Sequence, residues 1–413
     1  MAPLRVAICA EVWSTNLGDG VIAESLAYLV RRGQPDAEVS FLDLNDRPAP
    51  GRCGAPPERP HQPAPWRQLR HLPGLVGLNP SRRWWRQLRE LGRTGLAWAR
   101  PWTPPAHPYD LVILGGGQLL MDNDLWFPSR LWLQRHRLAA HSRVFAIHAC
   151  GVGRQWSPLG RRLVRRLLAD GRLVACSVRD PQSRHWAVEH LGCASAPPAL
   201  VPDPALWAAE AFAIQRQADA TAVGAGIMAP PLPSQGGDPG ASAWLNEAFL
   251  LAFWHNLIER IAASGRGVRL FTNGAPDDQA FAERLHAQLP PSLRRRTVLL
   301  PRPRQAAELV AAIAGCAGLV AQRLHALIIG CSLGVPAVGL VWDDKVRRFG
   351  AMAGCPERML EATTATPELA LRRLQEAMAA GRGDPGRDRL RREAAMGVTA
   401  LMRRLPTGQG RAA

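Results

Sequence analysis

Residues 317–345 read AGLVAQRLHALIIGCSLGVPAVGLVWDDK. AGLVAQ is an apolar strand, RLHALIIGCSLG a helix that starts at its end, and VPAVGL the next strand. A strand, a helix and a strand joined this tightly form a parallel unit whose helix lies on the sheet. Apolar character along whole strands, without alternation, means that both faces of the sheet are covered. The segment therefore predicts a layered α/β fold. It also places Arg323 and His325 on the first turn of a helix, where the backbone dipole favours anions. Lys345 follows the next strand and reaches the same rim. It is the only lysine of the chain, so the other cations among the 51 Lys and Arg residues are arginine.

The same pattern recurs outward from this segment. LRVAIC (4–9) runs through the glycine loop STNLGDG (14–20) into the amphipathic VIAESLAYLVRR (21–32). EVSFLDL (38–44), DLVILGGG (110–117), RVFAIHACGVG (143–153) and RLVACSVRD (172–180) read as further strands. The Pro-rich ASAPPALVPDPALW (194–207) marks a boundary near residue 200. A second series follows in ATAVGAGIM (220–228), the helical AFLLAFWHNLIERIAAS (248–264), GVRLFTNG (267–274) and RRTVLLP (295–301), and it closes with the opening segment. The expectation is two Rossmann-like α/β domains, residues 1–203 and 204–362, facing a cleft that would hold a ligand. Residues 363–413 form an Ala/Arg/Glu/Leu-rich helical tail that folds back on the first domain.

Composition excludes more than it assigns. The 413 residues carry a formal charge of +17, but the arginines are dispersed and no nucleic-acid signature accompanies them. Nucleic acid is therefore not an expected partner. The bias of Arg over Lys reflects codon drift, which makes the surviving Lys345 a site where arginine is not tolerated. Eight scattered cysteines without a C-x-x-C pair read as reduced buried thiols of a cytoplasmic protein, and zinc is not expected. No run of about 20 apolar residues is present to span a bilayer. Residues 48–108 interrupt the pattern with a Pro-rich loop and a Trp/Arg-rich segment. Its tryptophans are expected to pack onto the domain, and the second reading is peripheral contact of residues 66–102 with the inner membrane face.

Candidate site residues lie at strand ends. Asn16 and Asp19 sit in NLGD (16–19), where strand turns to helix and backbone N–H groups can meet an anion; Asp19 as a helix cap is an equal reading. Gly116 and Gly117 allow close backbone approach, but GGG is not G-x-G-x-x-G and excludes a nicotinamide cofactor. Arg179 in SVRDPQS (177–183) can fork onto a carboxylate or phosphate, and Ser183 enters the following helix. His325 can act as acid or base.

NLGD, LGGG, SVRDPQS, VPDPAL (201–206), QRLHALIIGCSLGVPAVGL (322–340) and DDK (343–345) together resemble the polysaccharide pyruvyl transferase family, across most of residues 4–360. The resemblance implies a fold similar to GT-B glycosyltransferases, phosphoenolpyruvate as donor, no cofactor, no metal, and a sugar diol of a polysaccharide or lipid-linked oligosaccharide that becomes a pyruvate ketal. By that likeness Arg179, Arg323 and Lys345 bind the donor with Asn16, Gly116, Gly117 and Ser183 around it. Asp203 falls in the VPDPAL segment; the chemistry then expected makes His325 the acid and, once deprotonated, the acceptor of a hydroxyl proton, with Asp19 orienting the acceptor. A nucleotide-sugar glycosyltransferase and a non-catalytic glycan- or anion-binding relative are the alternatives, the first weakened by the lack of an acidic ribose-binding block in the second domain.

Overall fold

The computed structural model describes residues 3–45, 53–54, 83–99, 105–230, 246–381 and 384–405. Two six-stranded sheets, parallel throughout, carry the fold. The first takes its strands from β1 (Arg5–Ala10), β2 (Glu38–Asp43), β3 (Tyr109–Gly115), β4 (Ser142–Cys150), β5 (Leu173–Val178) and β6 (Ala199–Leu200), in the order β2-β1-β3-β4-β5-β6. The second takes β7 (Val223–Gly226), β8 (Val268–Phe271), β9 (Thr297–Leu299), β10 (Gly318–Ala321), β11 (Ala337–Val341) and β12 (Met359–Glu361), in the order β12-β11-β10-β7-β8-β9. Chain direction across each sheet reverses once, between β1 and β3 in one and between β7 and β10 in the other. Such a reversal splays the loops after the two strands apart and opens a crevice at their carboxyl ends.

Burial follows the apolar runs. From Val6 to Ala10 β1 is fully covered, as is all of β10. Helix Gly18–Gly33 buries Val21, Ile22, Leu26 and Val30 and carries Arg31 and Arg32 in its last turn, where the dipole favours cations. Helix Leu324–Leu333 is buried on every side, because it lies between its own sheet and the first domain. The two domains meet through named contacts. Leu17 N donates to Asn273 O at 2.9 Å and Ala306 N to Cys53 O at 3.3 Å. At Gly18 a Cβ would lie 2.2 Å from His325 Nδ1, so only glycine leaves room for that imidazole.

The tail forms helices Pro367–Ala379 and Arg387–Met402. Just beyond the second the chain meets the first domain, Arg404 Nη1 donating to Val174 O at 3.2 Å, and the helix itself accepts at Arg391 O from Trp207 Nε1 at 2.9 Å, beneath the Arg391 guanidinium. All eight cysteines are free thiols. Within the insertion the described part is mainly helix Arg83–Trp98; residues 46–52, 55–82 and 100–104 lie outside the described residues. Trp98 stands edge-on against His136 of the domain, 5.8 Å between ring centres, and is 59% exposed, so it packs onto the domain only in part. No helix among the described residues is long and apolar enough to cross a membrane.

Candidate active site

Four cations converge where the strand ends of the two sheets meet. Arg179 follows β5, Arg323 follows β10, and Lys345 and Arg348 lie on helix Asp344–Met352 after β11. Each faces a carboxylate. Arg323 is gripped at both ends by Asp278, Nε and Nη2 donating at 2.9 Å each, and Asp278 also accepts from Ala229 N at 3.0 Å. Lys345 Nζ lies 3.2 Å from Asp343 and over the Trp342 ring, 4.2 Å from its centroid. Arg179 is held more loosely, 3.7 Å from both Asp180 and Asp203, and Arg348 stands 3.5 Å from Asp180. Nε and Nη1 of Arg348 are buried without a hydrogen-bond partner. Unsatisfied buried donors of this kind cost free energy, and an anionic ligand would relieve it.

His325 lies among these cations. Its Nε2 is buried without a hydrogen-bond partner, 3.9 Å from Asp203 Oδ2, which is equally unpartnered. Burial first, then Arg179, Lys345 and Arg323, push the imidazole down to about 3. The imidazole is therefore neutral near pH 7. A buried ring facing three cations disfavours the imidazolium, which counts against His325 as the proton donor. Burial also lowers Lys345, against the pull of Asp343, and raises Asp203, against the pull of Arg179.

A cavity of about 160 Å³ opens beside Lys345, lined also by Asp19, Gly116, Gly117, Phe127, Glu11 and Asp343. Gly116 and Gly117 have φ of +93° and +71°, values that glycine adopts without strain, and a Cβ on Gly117 would lie 3.1 Å from Asp19 Oδ1. Ser14 Oγ donates to Asp19 at 2.9 Å and Asn16 Nδ2 at 3.3 Å. Desolvation nevertheless lifts this carboxyl to about 6, with Arg179 pulling the other way. Asn16 thus positions Asp19, and it does not line the cavity. Among the described residues no group of three or more His, Cys, Asp or Glu is placed to hold a metal ion.

Ser183 is not at the ligand face. It is fully buried, its hydroxyl donating to Asp180 at 2.9 Å and accepting from Val152 N at 3.1 Å, while Ser183 N donates to Asp180 at 2.8 Å. Asp180-Pro-x-Ser is a helix start with Asp as cap and Pro at the first helical position. That signal was available in the sequence. Arg323 is likewise the residue before the helix and not on its first turn. Asp278, Trp342 and Arg348 escape the sequence reading. Of these only Arg348 carried a signal, because it lies three residues after Lys345 and so on the same helix face.

Known proteins place this geometry in a family. A profile described as "Polysaccharide pyruvyl transferase" matches residues 16–344. No curated protein matches the chain. Among solved structures, the UDP-GlcNAc 2-epimerase from Methanocaldococcus jannaschii is 8% identical over 97% of this chain and 99% of that one, with a TM-score of 0.53. The UDP-GlcNAc 2-epimerase from Neisseria meningitidis bound to UDP-GlcNAc is 9% identical over 97% and 100%, with a TM-score of 0.52. An E. coli heptosyltransferase with ADP gives 15% identity, 91% and 100% coverage and a TM-score of 0.46. At such identities the epimerases speak for the fold alone, the paired α/β arrangement of GT-B glycosyltransferases. The match to the profile runs from the first glycine loop to the Asp343-Asp344 pair, and on that span the chain belongs to the polysaccharide pyruvyl transferase family, a transferase of polysaccharide pyruvylation.

Proposed function

We propose that the chain moves an enolpyruvyl-derived group from phosphoenolpyruvate onto two hydroxyls of a sugar, forming a pyruvate ketal. The observation that carries this reading is the cation cluster around the buried imidazole of His325. Phosphoenolpyruvate holds a carboxylate and a phosphate within a few ångströms, and fixed cations in a desolvated cleft suit both. Arg179, Arg348 and Lys345 border one small crevice, and Arg323 is held by Asp278. The cavity at Asp19 and Gly117 takes the sugar: its carboxylates accept hydrogen bonds from hydroxyls, and Phe127 offers an apolar face.

Lys345 is the acid in this reading. Its ammonium gives a proton to the methylene carbon, which becomes methyl and leaves the neighbouring carbon cationic. One sugar hydroxyl attacks that carbon, and its proton passes to His325. Phosphate departs and takes the proton from the imidazolium, while the second hydroxyl closes the ring and its proton restores the ammonium. This accounts for the single lysine, because a guanidinium stays protonated and cannot serve as an acid. The acceptor is a saccharide of a growing polysaccharide or of a lipid-linked oligosaccharide.

The test is phosphate release from phosphoenolpyruvate with a panel of pyranoside diols, with the product followed by NMR for a ketal methyl signal. Acceptor-dependent phosphate and that signal are expected. Binding of nucleotide sugars that displaces phosphoenolpyruvate and yields a glycoside would establish the glycosyltransferase reading instead, and donor binding without turnover a non-catalytic one.

A further inference from the structure

Helix Arg83–Trp98 sits on the first domain with its polar face inward. Arg86 Nε donates to Asp124 at 2.6 Å, Arg130 Nη2 to Glu90 at 3.2 Å, Thr94 Oγ1 to Ser129 at 3.0 Å and Arg137 Nη2 to Ala97 O at 2.8 Å. The opposite face carries Leu88, Leu91, Leu96 and Trp98 at 50, 38, 68 and 59% exposed. A helix of a water-facing surface has the reverse arrangement. Large apolar side chains gathered on one outward face mark a binding surface.

Cations frame this crest. Arg89 and Arg93 are exposed on the same helix, and Arg162, Arg165 and Arg166 are exposed on helix Pro158–Leu168. An aromatic chain joins the two. Trp98 meets His136 at 5.8 Å, His136 meets Trp132 at 4.7 Å, and Arg166 stands 6.0 Å from the Trp132 ring.

We infer that this face docks on an anionic lipid surface, with the leucines and Trp98 at the headgroup boundary and the arginines on the phosphates. Apolar residues beside a row of cations match the boundary between acyl chains and charged headgroups. A second copy of the chain would set arginine against arginine. The placement has a consequence that rests on the reading of the cavity as the acceptor site. Asp124 receives Arg86, Asp122 accepts from the backbone of Ser157 at the start of helix Pro158–Leu168, and Met121 and Phe127 on either side line the cavity. One loop thus ties the docking face to the mouth of the site, and a lipid-carried saccharide would enter from the membrane.

The experiment is flotation of the full chain with vesicles of phosphatidylcholine, alone or mixed with phosphatidylglycerol. Binding is expected with the mixture only, weakened by high salt and reduced at least about tenfold in Leu91→Glu/Leu96→Glu and in Arg162→Gln/Arg166→Gln. Turnover of a water-soluble acceptor stays at wild-type level in both variants, which separates a failure of docking from a failure of the proposed reaction. Melting curves check folding, and if the leucine pair lowers the melting temperature the arginine pair decides. Absence of flotation, flotation that both variants retain, or a dimer lost in the leucine variant without change in flotation overturns the inference.

Discussion

The two rims of the cleft are built from opposite chemistries. The rim of the first sheet, at the ends of β1 and β3, offers Asp19, Glu11 and glycine backbone. The rim of the second, at the ends of β10 and β11, offers Arg323, His325, Lys345 and Arg348. Arg179, a cation sent across from β5, and Asp343, a carboxylate that follows β11 and lines the cavity with Asp19, are the exceptions. One rim accepts hydrogen bonds and the other attracts charge, so a neutral polyol and a small anion can be held side by side without competing for the same groups. Lys345 lines the cavity beside Asp19, and in the proposed reaction it stands where donor and acceptor meet.

Substitutions can break this contrast or sharpen it. On the cationic rim, His325→Asn should lower kcat on the order of a thousandfold, the scale of a lost proton acceptor, with the Kd for phosphoenolpyruvate held within a few-fold in calorimetry. The same residue shapes acid stability. Its folded-state value of about 3 lies below the ordinary 6.5, so between those values the unfolded chain binds a proton that the native chain does not. Stability therefore falls as pH drops through that window, and urea titrations should show a shallower fall in His325→Asn.

Asp278→Asn comes next. It leaves the Arg323 guanidinium without its carboxylate, and breaking a buried pair of this kind costs about 3 kcal/mol. The melting temperature should drop clearly and the donor KM should rise. An unchanged KM would show that Arg323 plays no part in holding the anion.

On the acceptor rim the effects are smaller. Asp19 titrates near 6, so activity that uses its carboxylate should rise through that pH, and Asp19→Asn should flatten the limb with about a tenfold loss in kcat/KM for the acceptor. Because the native carboxyl holds its proton above the unfolded value of 3.8, stability falls from that pH toward 6, and the Asn variant should be the more stable one at pH 7. The smallest effect on activity belongs to Ser183→Ala. It removes the buried hydroxyl that bonds Asp180 and Val152 N, lowers stability by about 1 kcal/mol, and should leave both KM values unchanged in steady-state assays.

The sequence shows the fold where burial is complete. VAICA, LVILG and GLVA are continuous apolar runs because both faces of each sheet are covered, and no neighbour has to be known to read them. The strand-end glycines and the Arg-Leu-His step are legible for the same reason, since they follow directly from where strands stop. Asp278 is not, because its value depends on a helix 45 residues away from Arg323 in sequence. Nor is Gly18 as the seat of His325, a contact between the two domains. The titration of His325 escapes as well: residue type gives an ordinary histidine, and only burial and the assembled cations keep it neutral well below pH 6.5. The leucines of residues 83–98 show the converse case. Their spacing reads as an amphipathic helix, but which face turns inward depends on Ser129, Arg130 and Arg137 of another helix.

The most direct test of the central claim is phosphate release by Lys345→Arg, measured beside the Kd for phosphoenolpyruvate. A guanidinium keeps the positive charge and withholds the proton. The account predicts donor affinity within about threefold of wild type and turnover reduced at least about a hundredfold. Turnover at the wild-type rate would contradict it, and would leave Lys345 as nothing more than one positive charge among four.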